Sequence, residues 1–392
     1  MKKAASAFVY LGYLIWYIFA CFCGIFARRL PRYRDLWLVS ERKTDARDNG
    51  YHFFKYICEQ HPEVNCAYVI EKKSADYGRV AVLGQVIEPG TFAHMLAFAC
   101  AKVRVSTHYM GCAPDTYRFT VMRKYGLVRG KFALIQHGIT ANDLRELHFP
   151  DARVDLYVCS AVPEYEFTLK NYGHPDGVVQ RLGLCRYDRL TAPHTEKRQI
   201  LVMPTWRYFL RGLSDEEFVK SEYFRQFDAI LNSAKLARAL CEYDYELVIY
   251  VHYELQRFSD LFENDNPRVR VMKFESADVQ ELLMESKVLI TDYSSVFFDF
   301  AYMSKPLAYL WFDEEKFYET QYGHGCFDCR KDGFGPVFED YGGAVDFIIG
   351  KMADGAQQDE VYKRRAEKFF GGIDGEHCLK TYRAVEKICR KR

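Results

Sequence analysis

Short apolar runs alternate with amphipathic segments along most of the chain. The runs have the length and composition of buried strands, and they cover Leu36–Ser40, Cys66–Ile70, Val80–Leu83, Lys102–Ser106, Phe132–Ile135, Val154–Cys159, Gln199–Met203, Glu246–Val251, Arg268–Met272, Lys287–Thr291 and Leu307–Phe312. Helical spacing of apolar residues predicts helices over Gly50–Gln60, Thr91–Ala101, Pro163–Tyr172, Glu216–Cys241 and Asp278–Ser286. This alternation predicts an α/β fold with parallel, doubly wound sheets.

The polar stretch Gly183–Gln199 interrupts the alternation, because it contains a proline and lacks periodicity. At 392 residues the chain exceeds the size of one ordinary core. We therefore predict a membrane-associating segment at residues 1–32, a first α/β domain at 33–190 and a second α/β domain at 191–392.

The first residues carry a different pattern. No charged residue occurs between Ala4 and Ala27, which is long enough to cross a bilayer. The segment therefore either spans the membrane or lies in its interface as an aromatic-rich helix, and a buried helix is the remaining alternative. Basic residues flank it at Lys2, Lys3, Arg28, Arg29, Arg32 and Arg34. Because more of them follow than precede the segment, we expect the rest of the protein to face the cytoplasm.

Composition narrows the function classes. The chain is 49% hydrophobic and 27% charged, as in ordinary globular proteins. Its net charge of +1 provides no field that would attract nucleic acid, so no nucleic-acid partner is expected. Thirteen cysteines without regular spacing suggest reduced thiols in a cytosolic region rather than a disulfide framework.

Polar residues follow four of the predicted strands. His137 comes after Phe132–Ile135, Arg207 after Gln199–Met203, His252 after Glu246–Val251, and Thr291–Ser295 ends the strand that begins at Lys287. Open α/β sheets bind ligands at the carboxyl ends of their strands. Since the first domain supplies one cluster and the second supplies three, the pattern predicts a cleft between two domains.

The second-domain turn has the composition of a phosphate site. Ser294 or Ser295 is a good N-cap for a helix over Val296–Met303, and a helix start attracts anions. Arg207 would add a fork of donors. Each feature also has a structural alternative: a plain capped helix, a histidine with structural partners, or an arginine stacked on Trp206.

No metal or cofactor is predicted. His324, Cys326 and Cys329 lack a second cysteine pair at zinc-ligand spacing. The glycine-rich nucleotide-binding motifs and an Asp-x-Asp pair are missing from the sequence.

Five segments in order resemble the CDP-glycerol glycerophosphotransferase family of bacterial teichoic-acid and capsule synthesis. They are "ERKTDARDNGYHFFKYI", "LIQHGIT", "GLCRYDRL", "LVMPTWR" and "LITDYSSVFFDFAYMSKPL". The resemblance runs from about Leu36 to near the C-terminus. It implies a GT-B-like fold of two facing Rossmann-like domains, attachment at the cytoplasmic membrane face, and transfer of a polyol phosphate from a CDP-activated donor.

The resemblance also implies residue roles. His137 and His252 match the catalytic histidines of the family, and Ser294 and Ser295 match its phosphate-binding turn. The expected donor site consists of these two serines with Arg207, Thr291, Asp292 and Lys380, which stands where the family usually has an arginine. We assign the general base to His137 and expect CDP-glycerol or a related CDP-polyol as substrate, with a lipid-linked glycan or polymer as acceptor.

The sequence departs from the family in places. "QHGIT" lacks the lysine that often follows the first histidine, and His252 is followed by Tyr253 rather than proline. Three alternatives therefore stay open. The chain could use CDP-ribitol, it could be a GT-B sugar transferase that uses a nucleotide sugar, or it could be a non-catalytic module that binds nucleotide or polymer.

Overall fold

A computed structural model describes residues 2–273, 278–320 and 327–391. The chain divides into two compact units. The first comprises residues 1–140, 144–188 and 375–392, and the second comprises residues 141–143 and 189–374.

The first unit contains a parallel sheet built from seven of the described strands, in the order β3-β2-β1-β4-β5-β6-β7. These strands are β1 (Trp37–Ser40), β2 (Cys66–Val69), β3 (Gln85–Ile87), β4 (Val103–Ser106), β5 (Lys131–Leu134), β6 (Leu156–Cys159) and β7 (Val179–Arg181). Its helices are α1 (Lys2–Ala27), α2 (Asn49–Gln60), α3 (Tyr77–Ala81), α4 (Phe92–Cys100), α5 (Thr116–Lys124), α6 (Val162–Asn171) and α7 (Tyr187–Leu190), the last of which crosses the boundary between the units. The order of the strands reverses between β1 and β4, as in doubly wound folds.

The second unit contains a parallel sheet of six described strands in the order β10-β9-β8-β11-β12-β13. They are β8 (Gln199–Met203), β9 (Glu246–Tyr250), β10 (Val269–Met272), β11 (Val288–Thr291), β12 (Leu307–Leu310) and β13 (Val337–Phe338). The helices are α8 (Asp215–Phe218), α9 (Glu222–Leu231), α10 (Ala234–Glu242), α11 (Val279–Glu285), α12 (Val296–Tyr302), α13 (Glu314–Thr320), α14 (Cys329–Asp332), α15 (Tyr341–Ala353) and α16 (Glu360–Phe370). The chain ends with α17 (His377–Arg390).

The α/β prediction is confirmed, but several elements differ. The apolar run Val80–Leu83 is not a strand, because α3 covers its first residues and β3 follows at Gln85–Ile87. The predicted helix Glu216–Cys241 is divided into α8, α9 and α10. The first of these helices starts at a capping box: Ser214 Oγ accepts from Glu217 N at 3.3 Å and Glu217 Oε2 accepts from Ser214 N at 2.8 Å. Ser221 and Ser233 cap the next two helices and so interrupt the long one.

Helix α17 belongs to the first unit, whereas the sequence placed all of 191–392 in the second domain. The apolar face of α17 joins the core formed by Trp37, Phe53 and Ile57. The Tyr382 ring stacks on His61 with 3.7 Å between ring centroids. A pattern of apolar residues at helical spacing does not specify which of two similar sheets the helix covers.

Helix α1 packs against the first unit along one face. Tyr17, Ala20 and Ala27 are buried, and the Tyr17 ring contacts Phe98 and Phe119 edge-on, with ring centroids 6.1 Å and 5.5 Å away. The opposite face is apolar and exposed at Ile15, Ile18, Phe19, Phe22, Ile25 and Phe26. By length and composition alone Val9–Ala27 could cross a membrane, with a mean hydropathy of 1.9.

Candidate functional site: two histidine sites on two sheets

His137 follows β5 at the carboxyl end of the first sheet. The preceding residue, Gln136, has a positive φ of 58° and turns the chain out of the strand. The His137 side chain is exposed, and its ring stacks on His108, with centroids 4.6 Å apart and an angle of 7° between the planes. His108 follows β4, the neighbouring strand of the sheet. The two imidazoles therefore meet because their strands are adjacent.

Three polar residues hold the backbone around His137. Asn49 Nδ2 donates to the carbonyl of Gln136 at 2.8 Å, and Asn49 Oδ1 accepts from Arg186 N at 3.0 Å. Arg186 Nη1 donates both to the carbonyl of His137 and to Asp48 Oδ1, each at 2.7 Å. Asp48 and Asn49 open α2, and Arg186 immediately precedes α7. The position of His137 therefore depends on segments far apart in the sequence.

Glu41 organises the loop that presents Asp48 and Asn49. This fully buried carboxylate accepts from the backbone N–H groups of Arg47 and Asp48 at 3.0 Å and of Tyr51 at 2.6 Å. Burial and the neighbouring Asp48 together raise the pKa of Glu41 to about 8, while these hydrogen bonds oppose the change. The side chain thus replaces the missing acceptors at the start of α2.

Both stacked histidines favour the neutral form. Desolvation of the imidazole by the surrounding protein lowers the pKa of His137. Asp48 opposes this change, and Arg186 and Arg42 add to it. Burial, together with the neighbouring His137, lowers the pKa of His108 to about 3. A neutral imidazole can accept a proton from a hydroxyl group at pH 7.

His252 follows β9 at the carboxyl end of the second sheet. Its Nδ1 accepts a hydrogen bond from the backbone N–H of Glu254 at 3.3 Å. In the neutral ring this leaves the proton on Nε2, so that Nε2 is a hydrogen-bond donor. The ring is half-buried and lies nearly parallel to Trp206, with 6.3 Å between centroids. Such a donor suits the stabilisation of an anion better than proton abstraction.

Arg207 forms internal ion pairs in this structure, and its predicted contact with the donor stays a hypothesis. Its side chain is fully buried, with Nη1 2.9 Å from Asp292 Oδ2 and Nε 2.7 Å from Asp313 Oδ2. Burial alone would lower the pKa of Arg207, but the two carboxylates raise it above its usual value. The planar fork binds two acidic partners inside the protein instead of a phosphate.

Thr291 and Asp292 are likewise fully buried and structural. Thr291 Oγ1 donates to the carbonyl of Met203 at 2.7 Å, and Asp292 Oδ1 accepts from Thr205 N at 2.8 Å. These bonds join the carboxyl ends of β8 and β11, which are neighbours in the sheet. Both side chains therefore fix the turn that follows β11, and their predicted contacts with the donor stay a hypothesis.

Ser294 and Ser295 lie at the surface end of this turn. Ser295 is exposed and Ser294 half-buried, and α12 begins directly after them. Ser295 does not cap α12 through its side chain, contrary to the sequence expectation. Within the described part of the chain, no hydrogen bond of either hydroxyl is observed, and their predicted contact with the donor stays a hypothesis.

Comparison with known proteins decides the family. The profile of the family described as CDP-Glycerol:Poly(glycerophosphate) glycerophosphotransferase matches residues 25–387. The chain belongs to this family. The match includes both histidine sites, and it confirms the resemblance drawn from the five sequence segments.

Two relatives and one solved structure extend the comparison. The chain is 30% identical over 366 residues to the minor teichoic acid biosynthesis protein GgaB of Bacillus subtilis (strain 168), covering 91% of this chain and 40% of GgaB. It is 28% identical over 204 residues to the teichoic acid glycerol-phosphate transferase of Staphylococcus aureus (strain NCTC 8325 / PS 47), covering 52% of this chain and 46% of that protein. The matches thus span less than half of either relative's length.

The wall teichoic acid polymerase TagF has a similar structure, with a TM-score of 0.66 at 19% identity, covering 91% of this chain and 89% of TagF. At this identity the likeness concerns the fold, and it agrees with the GT-B-like architecture expected for a CDP-glycerol glycerophosphotransferase family member.

Lys380 does not lie where the sequence prediction put it. It is a half-buried residue of α17, which belongs to the first unit, whereas Ser294 and Ser295 belong to the second. The prediction grouped them because the whole of 191–392 was assigned to one domain. Its contact with the donor remains a hypothesis.

Sequence reasoning missed His108, Asp48, Asn49 and Arg186. The last three lie in "ERKTDARDNGYHFFKYI" and "GLCRYDRL", which were quoted for the family resemblance but given no role. His108 follows the apolar run Lys102–Ser106 and had the same strand-end signal as His137. The residues described contain no group of three metal-ligating side chains, while His324 and Cys326 lie outside them.

Proposed function

We propose that this chain transfers glycerol phosphate, or another polyol phosphate, from a CDP-activated donor to a hydroxyl group, with release of CMP, in teichoic-acid or capsule synthesis. The observation that carries the proposal is the family match over residues 25–387, which includes His137 and His252. The relatives named above support the same class of reaction. A TagF structure obtained after soaking with CDPG supports a CDP-linked donor.

His137 is the proposed general base. The acceptor hydroxyl attacks the phosphorus atom that bears the polyol, its proton passes to the neutral His137 ring, and a new P–O bond forms. The P–O bond to CMP breaks, and the electron pair leaves with CMP. Phosphoryl transfer depends mainly on positioning and charge stabilisation. The Asp48–Arg186 pair supplies positioning, because Arg186 holds the His137 carbonyl.

His252 and the hydroxyl groups of Ser294 and Ser295 are the proposed contacts to the donor phosphates. The Nε2–H group of His252 donates to an anion, as do serine hydroxyls. Charge grows on the departing CMP, and donors oriented in advance stabilise it. The reaction as written needs no cofactor and no metal ion.

We also propose that the enzyme works at the cytoplasmic face of the membrane on a lipid-linked glycan or polymer acceptor. Helix α1 supports interfacial attachment rather than a span. The face of α1 that contains Tyr17 packs against the first unit. The face that contains Phe22 is apolar and exposed, as in a helix that lies in the plane of the membrane interface.

A donor panel tests the proposed reaction. The full-length enzyme is incubated with CDP-glycerol, CDP-ribitol and UDP-N-acetylglucosamine beside a membrane fraction, and CMP, UDP and product mass are measured. We expect CMP from a CDP-polyol. Release of UDP alone would support a GT-B sugar transferase, and binding of a CDP-polyol without turnover on any acceptor would support a non-catalytic module.

Two variants assign the histidines. His137→Ala should reduce turnover by roughly 10²–10⁴ and leave donor affinity nearly unchanged, because the base acts on the acceptor. His252→Ala and Ser294→Ala should reduce donor affinity as well as turnover. Calorimetry with the CDP-polyol and steady-state rates measure both effects, and Ser304→Ala is the matched control. If His137→Ala lost donor binding and His252→Ala kept it, His252 would be the base and His137 the donor contact.

A further inference from the structure

Arg104 is a buried arginine with no acidic partner among the residues that the structure describes. It lies on β4 with its side chain 3% exposed, and both Nε and Nη2 donate to the carbonyl of Phe98, the former at 2.9 Å. The guanidinium contacts the rings of Phe98 and Phe132, whose centroids lie 4.7 Å and 5.0 Å from Cζ. Nη1 is buried and has no hydrogen-bond partner among the described residues.

The chain itself offers the contrasting case. Arg207 is as deeply buried, yet it forms ion pairs with Asp292 and Asp313. Arg104 has no ion pair with a described residue. Burial lowers its pKa to about 10; Tyr17 and Cys112 oppose this change, and the nearby cations Arg123 and Arg28 add to it. Burying a charge is costly unless a charge of opposite sign compensates it. The cation–π contacts and one carbonyl compensate only in part.

A groove of about 410 Å³ lies over Arg104, between α1 and the body of the first unit. Leu14, Ile18 and Leu127 supply apolar walls, and Arg28 and Arg129 supply two more cations. Arg129 is exposed and forms no ion pair within the part of the chain described. Gly130 leaves space above the guanidinium, since a Cβ there would collide with Arg104 Nη1.

The groove therefore combines positive charge with an apolar wall. The wall continues onto the exposed apolar face of α1, at Phe22, Ile25 and Phe26. A free phosphate would pair with the arginines but leave the apolar wall uncovered. A neutral lipid would cover the apolar wall but leave the arginines without an anion. A lipid with a phosphate head group satisfies both.

We propose that this groove binds an anionic membrane lipid through its phosphate, with Arg129 and Arg28 in contact with the phosphate oxygens and Arg104 supplying positive charge beneath them. The inference rests on the proposed membrane attachment and does not depend on the proposed transfer reaction. The lipid serves here to seat α1 and the first unit on the membrane in one orientation.

The test uses the full-length protein in non-ionic detergent and three probes measured by calorimetry. They are dihexanoyl phosphatidic acid, dihexanoylglycerol with the same chains but no phosphate, and inorganic phosphate. We expect phosphatidic acid to bind at least about tenfold more tightly than either of the other probes. A single hydrogen bond to a charged group can lower the dissociation constant by about this factor. Equal affinity for phosphatidic acid and dihexanoylglycerol would overturn the proposal, as would equal affinity for inorganic phosphate.

Surface variants locate the site. Arg129→Gln and Arg28→Gln should each weaken binding of phosphatidic acid roughly 3- to 10-fold and leave dihexanoylglycerol unaffected. Arg211→Gln, on the second unit and exposed, is the matched control. Unchanged binding in both groove variants would reject the site. Arg104→Met could disturb folding, so this variant is tested by the rise in melting temperature that phosphatidic acid causes. This rise should be smaller in Arg104→Met than in the wild type and unchanged in Arg211→Gln.

Discussion

Replacing Arg207 with methionine separates a buried structural arginine from a phosphate ligand. The substitution keeps most of the apolar volume but leaves two carboxylates without their common partner. Asp292 is fully buried and Asp313 is 10% exposed. Removing one member of a buried ion pair costs about 3–5 kcal/mol. We therefore expect a loss of that size in the stability of the second unit at pH 7.

The loss should also depend on pH. Burial raises the pKa of Asp292, and Arg207 opposes this; without Arg207 the pKa rises further. A carboxyl group whose pKa is higher in the folded state than in the unfolded state contributes stability at low pH, and this contribution is lost as the pH rises through the folded value. The variant should therefore be closer to the wild type at pH 5 than at pH 8.

Amide hydrogen exchange of β8 and β11 measures the free energy of opening of the second unit, without assuming that the two units unfold together. Arg225→Met is the matched control, because Arg225 pairs with Glu222 at 2.7 Å while 63% exposed. Such a pair contributes at most about 1 kcal/mol. If Arg207→Met kept the protection of the wild type and lost only donor affinity, the structural role would be refuted.

Three further predictions concern the reaction and the membrane. Because the pKa of His137 is lowered, the acid limb of kcat/KM should lie below about pH 6.5, and Asp48→Asn should move it lower still by removing a charge that raises that pKa. Turnover should survive EDTA within about twofold if His252 and the serines carry the charge stabilisation; complete loss restored by Mg²⁺ would contradict this. Replacing Phe19, Phe22 and Phe26 with serine should shift the protein from the membrane fraction to the soluble one, whereas persistent membrane association would place the anchor elsewhere.

Local signals predicted the framework well. The strand-end positions of His137 and His252 followed from short apolar runs, because each histidine lies within a few residues of the run that positions it. The fate of Arg207 was not predictable in this way. Its partner Asp292 lies 85 residues later in the sequence, and only the pairing of β8 with β11 brings them together. Nothing in "LVMPTWR" distinguishes a ligand from an internal ion pair.

The same limit applies to Val80–Leu83 and to His108. The first has two β-branched residues, but only Val80 is buried and Val82 is 83% exposed, so the run lacks the burial of a central strand. His108 carried the strand-end signal, but its stacking on His137 depends on β4 and β5 being neighbours, which a linear pattern leaves open.

The return of α17 to the first unit has a consequence for biosynthesis. Its residues complete a core that begins at Trp37, yet the ribosome makes them only after all of residues 189–374. Folding on the ribosome usually proceeds from the N-terminus, domain by domain. Here the earlier-synthesised unit must wait with part of its sheet uncovered while the later one is made and can fold. A stalled or prematurely terminated chain would therefore expose the apolar face that Tyr382 and Val385 normally cover, and it would be a substrate for chaperones or proteases.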